Sequence, residues 1–218
     1  MLSHKYIKWF FIALLTCLWY AYFSCKLPLF LIFIAILVWL GITAWGSFDI
    51  RLNYFVKAYS SNKKINRNIV ALTFDDGPTE ITPEILNLLE KYNQKATFFC
   101  IGKQIEKYPE ILKSIVGQGH VIANHTYSHT NKMGFLSKKE VNNEIASTQN
   151  IIQRITGKIP NLFRPPFGVT NPNIASACKE NRVEVIGWNV RSLDTVITSG
   201  DKILSRILDR FEKGSIIL

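Results

Sequence analysis

Two long apolar stretches, residues 9–25 and 27–48, open the chain, and neither contains a charged residue. A helix crosses the hydrocarbon core of a bilayer with about 20 mostly apolar residues, so the second stretch qualifies and the first is borderline. Tryptophans 9, 19, 39 and 45 lie towards the stretch ends, where interfacial aromatics belong. A signal peptide with Lys5 and Lys8 as its basic head is the competing reading of the first stretch. A membrane-anchoring hairpin in residues 1–50, with spans of about 7–25 and 27–48 turning at Lys26 and Pro28, accounts for both. Residues 51–68 lose the apolar run, gain charge and Asn, and read as a linker.

From Ile69 the pattern changes to short β-rich runs alternating with helical periods. "IVALTF" has the continuous apolar character of a strand buried on both faces. "TPEILNLLEKYN" follows as a helix, with Thr82 as N-cap and Pro83 at its first position. Then come a strand in "KATFFCIG", a helical stretch interrupted near Pro109, and a strand in "HVIANH". The helix of residues 137–157 opens with a Ser137/Glu140 capping box and closes at Gly157. "NLFRPP", "VEVIGWNV" and "SIIL" read as further strands, with helices in "NPNIASACKEN" and "GDKILSRILDRFEKG". This alternation implies right-handed βαβ units around a parallel sheet, open or closed into a barrel, with the chemistry at the C-terminal strand ends. Asp75, Asp76, His125, Arg164 and Asp194 all fall at or just after those expected ends.

The 218 residues suit one domain plus an appendage. The net charge of +10 is carried by scattered Lys and Arg with no dense run and no nucleic-acid motif, so no nucleic-acid partner is expected. Attraction to an anionic membrane or envelope polymer accounts for the balance. Four cysteines without a CxxC spacing read as small buried hydrophobes.

"LTFDDGPT" (72–79) sets two carboxylates side by side after an apolar run. Successive residues of an extended chain point to opposite sides, and a structural turn needs only one Asp. "NHTYSH" supplies His125 and His129 four apart; a helical turn there would face both imidazoles to one side, able to bind one cation. A carboxylate from another strand end completes a His/His/Asp set with open positions. One aspartate then binds the metal, and its neighbour is free to take a proton from water. "FRPPFG" holds Arg164 on a stiff Pro-Pro corner, where an ion pair with Asp75 would position that base and keep it charged.

"TFDDG", "HTYSH" and "RPPFG", in this order and at these separations, resemble the polysaccharide deacetylase family, also called the NodB-homology or family 4 carbohydrate esterases. The resemblance covers about residues 67–218, with the domain itself placed at 69–218. It implies an α/β fold, a distorted (β/α) barrel, and metal-dependent removal of N-acetyl groups from N-acetylglucosamine-type polymers. It also implies that Asp75 is the general base, oriented by Arg164, and that Asp76, His125 and His129 are the metal ligands. The backbone N–H near Phe167 would stabilise the oxyanion, with Gly168 and Trp188 beside it on the substrate side. Zinc is the expected metal; cobalt and nickel suit the same ligands. Peptidoglycan, a chitin-like chain and an exopolysaccharide all remain candidate polymers.

Two motifs depart from the family pattern. Its fourth usually reads Asp-x-x-Asp-Trp, whereas "WNVRSLDT" offers Arg191, Asp194 and Thr195. Asp194 stands where the acid-tuning aspartate belongs, but the aromatic wall at 195 is missing. The fifth, Leu-x-Leu-x-His, carries the general acid and would follow directly from "SIIL". The expectation is therefore a barrel incomplete at its C-terminal end, from a longer chain whose next positions include a histidine. The rival class is a catalytically inactive homologue serving as a membrane-tethered sugar-binding or scaffold protein. Location is expected in the cell membrane, multi-pass. Lys5, Lys8, Arg51 and Lys57 outnumber Lys26 in the turn, which by the positive-inside rule argues for cytoplasmic ends. An envelope substrate places the domain outside, and that argument is preferred.

Overall fold

The computed structural model describes residues 3–218. Helices α1 (His4–Cys25) and α2 (Phe30–Phe48) pair as a hairpin, with Phe11 stacked on Trp39 at 5.7 Å between ring centroids. Lys26 ends α1 in the left-handed region. Both helices are long and apolar enough to cross a membrane, and most of their surface is exposed. Cys17 and Cys25 are exposed on α1, contrary to the expectation that all four cysteines are buried; Cys100 and Cys178 are buried.

Beyond the hairpin, seven parallel strands form one sheet in the order β1-β6-β5-β4-β3-β2-β7. The strands are β1 (Ala58–Tyr59), β2 (Ala71–Gly77), β3 (Thr97–Cys100), β4 (Val121–Asn124), β5 (Leu162–Phe163), β6 (Glu184–Ile186) and β7 (Ile216–Ile217). Between them run α3 (Thr82–Lys91), α4 (Gly102–Lys107), α5 (Pro109–Gly117), α6 (Lys138–Thr156), α7 (Pro172–Glu180) and α8 (Gly200–Leu208). From β2 onward the order of elements is the one that the hydrophobic pattern predicts.

Local chemistry explains the helix boundaries. Pro109 divides α4 from α5 because proline donates no N–H and drives the preceding Tyr108 (φ −130°) out of the helical region. The Ser137/Glu140 capping box is present, and Gly157 closes α6 at φ 73°. Thr82 is not the N-cap of α3. It is the first helical residue, Ile81 holds the cap position, and the Thr82 hydroxyl accepts from the Thr79 N–H at 2.8 Å.

Two other expectations are corrected. Residues 51–68 are not a plain linker: Ala58 and Tyr59 pair with Val185 and Ile186 as an edge strand, and Ser61 bridges Ser215. Nor is the strand at 69–74 buried on both faces, since Ile69, Val70 and Ala71 are exposed. The strand begins only at Ala71, so Ile69 and Val70 precede it. The core lies in two clusters. One gathers Ile50, Met133, Val141, Ile145, Phe163 and Val185; the other gathers Leu86, Phe98, Ile105, Leu112, Ile115 and Ile152. Helix α6 feeds both and so fixes the centre of the sheet.

Candidate active site

The C-terminal ends of β2, β4 and β5 converge on a cleft of about 600 Å³, lined in part by Asp75, Asp76, His125, His129, Phe167 and Trp188. The doubled aspartate is placed by an irregularity of the strand. Between Phe74 and Gly77 the pairing of β2 with β3 slips by one residue, and Asp76 takes φ 67°. A bulge of this kind re-aims side chains. The two carboxylates therefore do not diverge as plain alternation predicts: Asp75 Oδ2 lies 3.8 Å and Asp76 Oδ1 3.5 Å from His125 Nε2.

His129 is brought in by a loop rather than by a helical turn. Thr126 (φ 68°) and His129 (φ 49°) are both left-handed, so the segment doubles back and sets the two imidazoles 4.9 Å apart. Asn124, fully buried, accepts from the Thr126 N–H at 2.8 Å and donates to the Ile145 carbonyl. Thr126 Oγ1 accepts from the His129 N–H. Glu144 on α6 accepts from the Tyr127 and Ser128 N–H groups and from the Ser128 hydroxyl, at 2.8–3.0 Å.

Arg164 braces the site from below. Its side chain is 0% exposed. The guanidinium donates to Asp75 Oδ1 at 2.6 Å, Thr73 Oγ1 at 2.9 Å, the Ile186 carbonyl at 3.1 Å and the Gly187 carbonyl at 3.0 Å. Its face rests on Phe99, 4.0 Å from the ring centroid. Burial pulls its pKa down and the Asp75 charge opposes that, yet a guanidinium keeps its proton in proteins. The backbone carbonyl of the same residue lies 2.7 Å from His125 Nδ1. A proton on Nδ1 satisfies that contact and leaves the Nε2 lone pair facing the aspartates, the tautomer a metal ligand needs.

Asp76, His125 and His129 each bring one donor atom within 4.8 Å of the others, and Asp76 Oδ1 is 3.3 Å from His129 Nε2. The neighbouring His125 is the main cause holding Asp76 below the usual carboxylate range. Burial, then the neighbouring His125, pushes His129 down. A carboxylate kept ionised beside an imidazole kept neutral is a donor set that fits a divalent cation.

At the rim, Phe167 (φ 60°) leans its half-exposed ring on His129, 5.1 Å between centroids. Gly168, at φ 68°, lies under the Trp188 indole, where an added Cβ would come within 2.6 Å of it. Asp194 lines the same cleft, where its carboxylate accepts from Ser192 Oγ and the Thr195 N–H. Thr73, Asn124 and Glu144 are supports that sequence reasoning passed over. Glu144 had a signal: it falls on the apolar stripe of Val141, Ile145, Thr148 and Ile152, where an acid needs a reason.

Seven parallel strands around a carboxylate–imidazole–imidazole set, with a second carboxylate held by a buried arginine, define an α/β half-barrel protein with a site fitted to a divalent cation. Within that class the chain belongs to the polysaccharide deacetylase family, the NodB-homology or family 4 carbohydrate esterases, whose profile matches residues 62–186. A peptidoglycan-N-acetylglucosamine deacetylase of Bacillus cereus is 41% identical over 162 residues, covering 74% of this chain and 58% of its own length. The peptidoglycan-N-acetylmuramic acid deacetylase PdaC of Bacillus subtilis is 38% identical over 154 residues, 70% of this chain and 32% of its own. The crystal structure of the Bc1960 peptidoglycan N-acetylglucosamine deacetylase superposes with a TM-score of 0.69 at 41% identity, covering 74% of each chain. The chain thus spans between a third and three fifths of the length of these curated relatives.

Proposed function

We propose that the protein is a membrane-anchored, metal-dependent amide hydrolase that removes N-acetyl groups from an envelope glycan, with peptidoglycan as the favoured substrate. One observation carries the reading. Asp75 is held by Arg164 at 2.6 Å, outside the set formed by Asp76, His125 and His129 yet next to it. Neighbouring carboxylates with different partners can divide two tasks, ligation and proton transfer.

Asp76, His125 and His129 would hold the cation, zinc being favoured with cobalt or nickel compatible. A cation there would supply Lewis acidity towards an amide oxygen and an attacking water. Asp75 accepts the proton of that water, and Arg164 fixes its orientation and its charge. The Phe167 N–H is the donor for the developing oxyanion, since the Gly168 and Val169 N–H groups already donate to the Pro165 and Pro166 carbonyls, while Trp188 over Gly168 forms an apolar wall for a sugar face. Asp194, which lines the same cleft, would act on whichever group protonates the leaving amine. The relatives' names, both specifying peptidoglycan, support the polymer. The two apolar helices support a membrane anchor, with the domain on the outer side where such polymers lie.

Acetate release from peptidoglycan, chitin oligomers and an N-acetylated exopolysaccharide, compared with the Asp75→Asn variant, tests the activity. Release from none of them, with glycan binding retained, would favour an inactive sugar-binding homologue. Protease added to protoplasts should digest the domain, and full protection would reverse the proposed orientation.

A further inference from the structure

The hairpin does not end in a tether. Helix α2 stops at Phe48, and Ile50, two residues on, is already 4% exposed in the core cluster with Phe163 and Val185. The last turn of a helix leaves carbonyls without helical partners, and here the catalytic domain supplies them. The Thr170 N–H donates to the Ser47 carbonyl at 2.9 Å, and the Thr170 hydroxyl reaches the Gly46 carbonyl at 3.5 Å. In return the Ser47 hydroxyl donates to the Thr170 carbonyl at 2.6 Å. Tyr54, 3% exposed, lies directly on Gly46, where any Cβ would overlap its ring. Its carbonyl accepts from the His4 N–H at the start of α1.

The side on which this dock is made matters. Thr170 lies in the loop after β5, and Gly187, which touches Ile50, directly follows β6. Both are C-terminal strand ends, the end of the sheet that carries Asp75, Asp76 and His125. The same contacts continue into the segment after β4. Asn171 Nδ2 donates to the Gly134 carbonyl at 2.9 Å, and Val169 packs on Gly134. The next residue, Phe135, is 92% exposed, flanked in sequence by the exposed Lys132 and Lys139. A bare aromatic between lysines, continuous with the end of a bilayer-length helix, has the composition of an interfacial anchor.

We propose that the catalytic face lies against the bilayer, held by the Ser47–Thr170 dock and by Phe135, so that the cleft works on N-acetylated saccharides attached to a membrane lipid. The substrate class rests on the hydrolase reading above, and the geometry rests on the hairpin spanning a membrane. Phe167 at the cleft rim is three residues from Thr170, at most about 11 Å along the chain. A free tether from 51 to 68 would let the cleft roam up to about 60 Å; the dock removes that freedom. A domain of this size is about 40 Å across, which sets the outer limit of its reach.

The test uses the full chain in phosphatidylethanolamine/phosphatidylglycerol vesicles. Acetate release is compared for an N-acetylglucosamine tetramer joined to a lipid by a short link and for the same tetramer free in solution. Phe135→Ser should lower the ratio of lipid-attached to free turnover by about tenfold, the order expected when a buried phenyl is lost. Ser47→Ala and Gly46→Leu should lower it too, while turnover of the free tetramer stays as it was. A ratio unchanged in all three variants would overturn the proposal. Separately, Phe135→Trp should be quenched by brominated lipid beyond the parent protein, and absence of extra quenching overturns the contact. If neither tetramer releases acetate, the hydrolase reading fails, and the quenching alone decides whether the face meets the bilayer.

Discussion

Replacing Asp75 with Asn removes one charge and almost no volume, so it separates the work of the proposed base from that of the proposed metal ligands. The carboxylate is 14% exposed and its partner Arg164 fully buried, with 2.6 Å between Oδ1 and Nη1. The amide oxygen can still accept that hydrogen bond, but the guanidinium loses its counter-ion. Removing one partner of a buried pair costs about 3–5 kcal/mol, and the retained hydrogen bond argues for the lower end, about 3. At about 2–4 °C per kcal/mol for a domain of this size, the unfolding midpoint should fall by roughly 6–12 °C. Turnover should fall by about 10²–10⁴, the range for a lost general base. Bound zinc should stay at the parental stoichiometry, because Asp76, His125 and His129 are untouched. Acetate release, elemental analysis and thermal unfolding on one preparation read all three quantities. The double variant with Arg164→Met supplies the cross-check: it removes both charges, so it should be less destabilised than the sum of the singles. Zinc lost in Asp75→Asn, or strict additivity in the cycle, would refute the division of labour between the two aspartates.

His125→Ala and His129→Ala should each abolish most zinc binding and nearly all acetate release; full zinc retention in both would remove the proposed ligand set. Glu144→Ala strips three hydrogen bonds from the Tyr127–Ser128 turn and should weaken zinc binding by about 10–100-fold, as loss of an outer partner does, measured by titration against a competing chelator. The pH dependence of that titration has a definite sign. Burial places the His129 pKa below its ordinary 6.5, so its neutral form survives to lower pH than in the unfolded chain. Zinc affinity should therefore hold from pH 7.5 to 6.5 and fall only below that window. By the same linkage, the contribution of His129 to stability is full above pH 6.5 and declines as the unfolded state takes up its proton. Affinity already down to half its plateau at pH 6.5, as a His129 of ordinary pKa would give, would contradict this.

The order of strands and helices was legible because each long element carries a period: 3.6 with caps in α6, short apolar runs in β3 and β4. Residues 51–68 escaped because a two-residue strand has no period to show. Ile50 and Ala58, the anchors that tie this segment to the core, stand among Leu52, Tyr54, Phe55, Val56 and Tyr59, apolar neighbours that follow neither the strand nor the helix period. The ion pair of Arg164 with Asp75 was legible from residue types and strand ends. The three further acceptors of that guanidinium were not, since two of them are backbone carbonyls that leave no mark in a sequence.

The least legible feature is the backbone at the site itself. Asp76, Thr126, His129 and Phe167 all sit at positive φ, a region in which non-glycine residues are uncommon and a β-branched Thr is an outlier. Such conformations cost of order 1–3 kcal/mol each and persist only where the surroundings over-determine them. The surroundings here do so: the Asn124 amide and the Glu144 carboxylate take up the N–H groups of the 126–128 turn. A helical reading of His125 and His129 followed from their spacing of four and from ordinary propensity, and it failed because this turn departs from propensity. Local rules break where function demands a geometry that they disfavour. The same strain that hid the loop from sequence is what aims both imidazoles at one carboxylate.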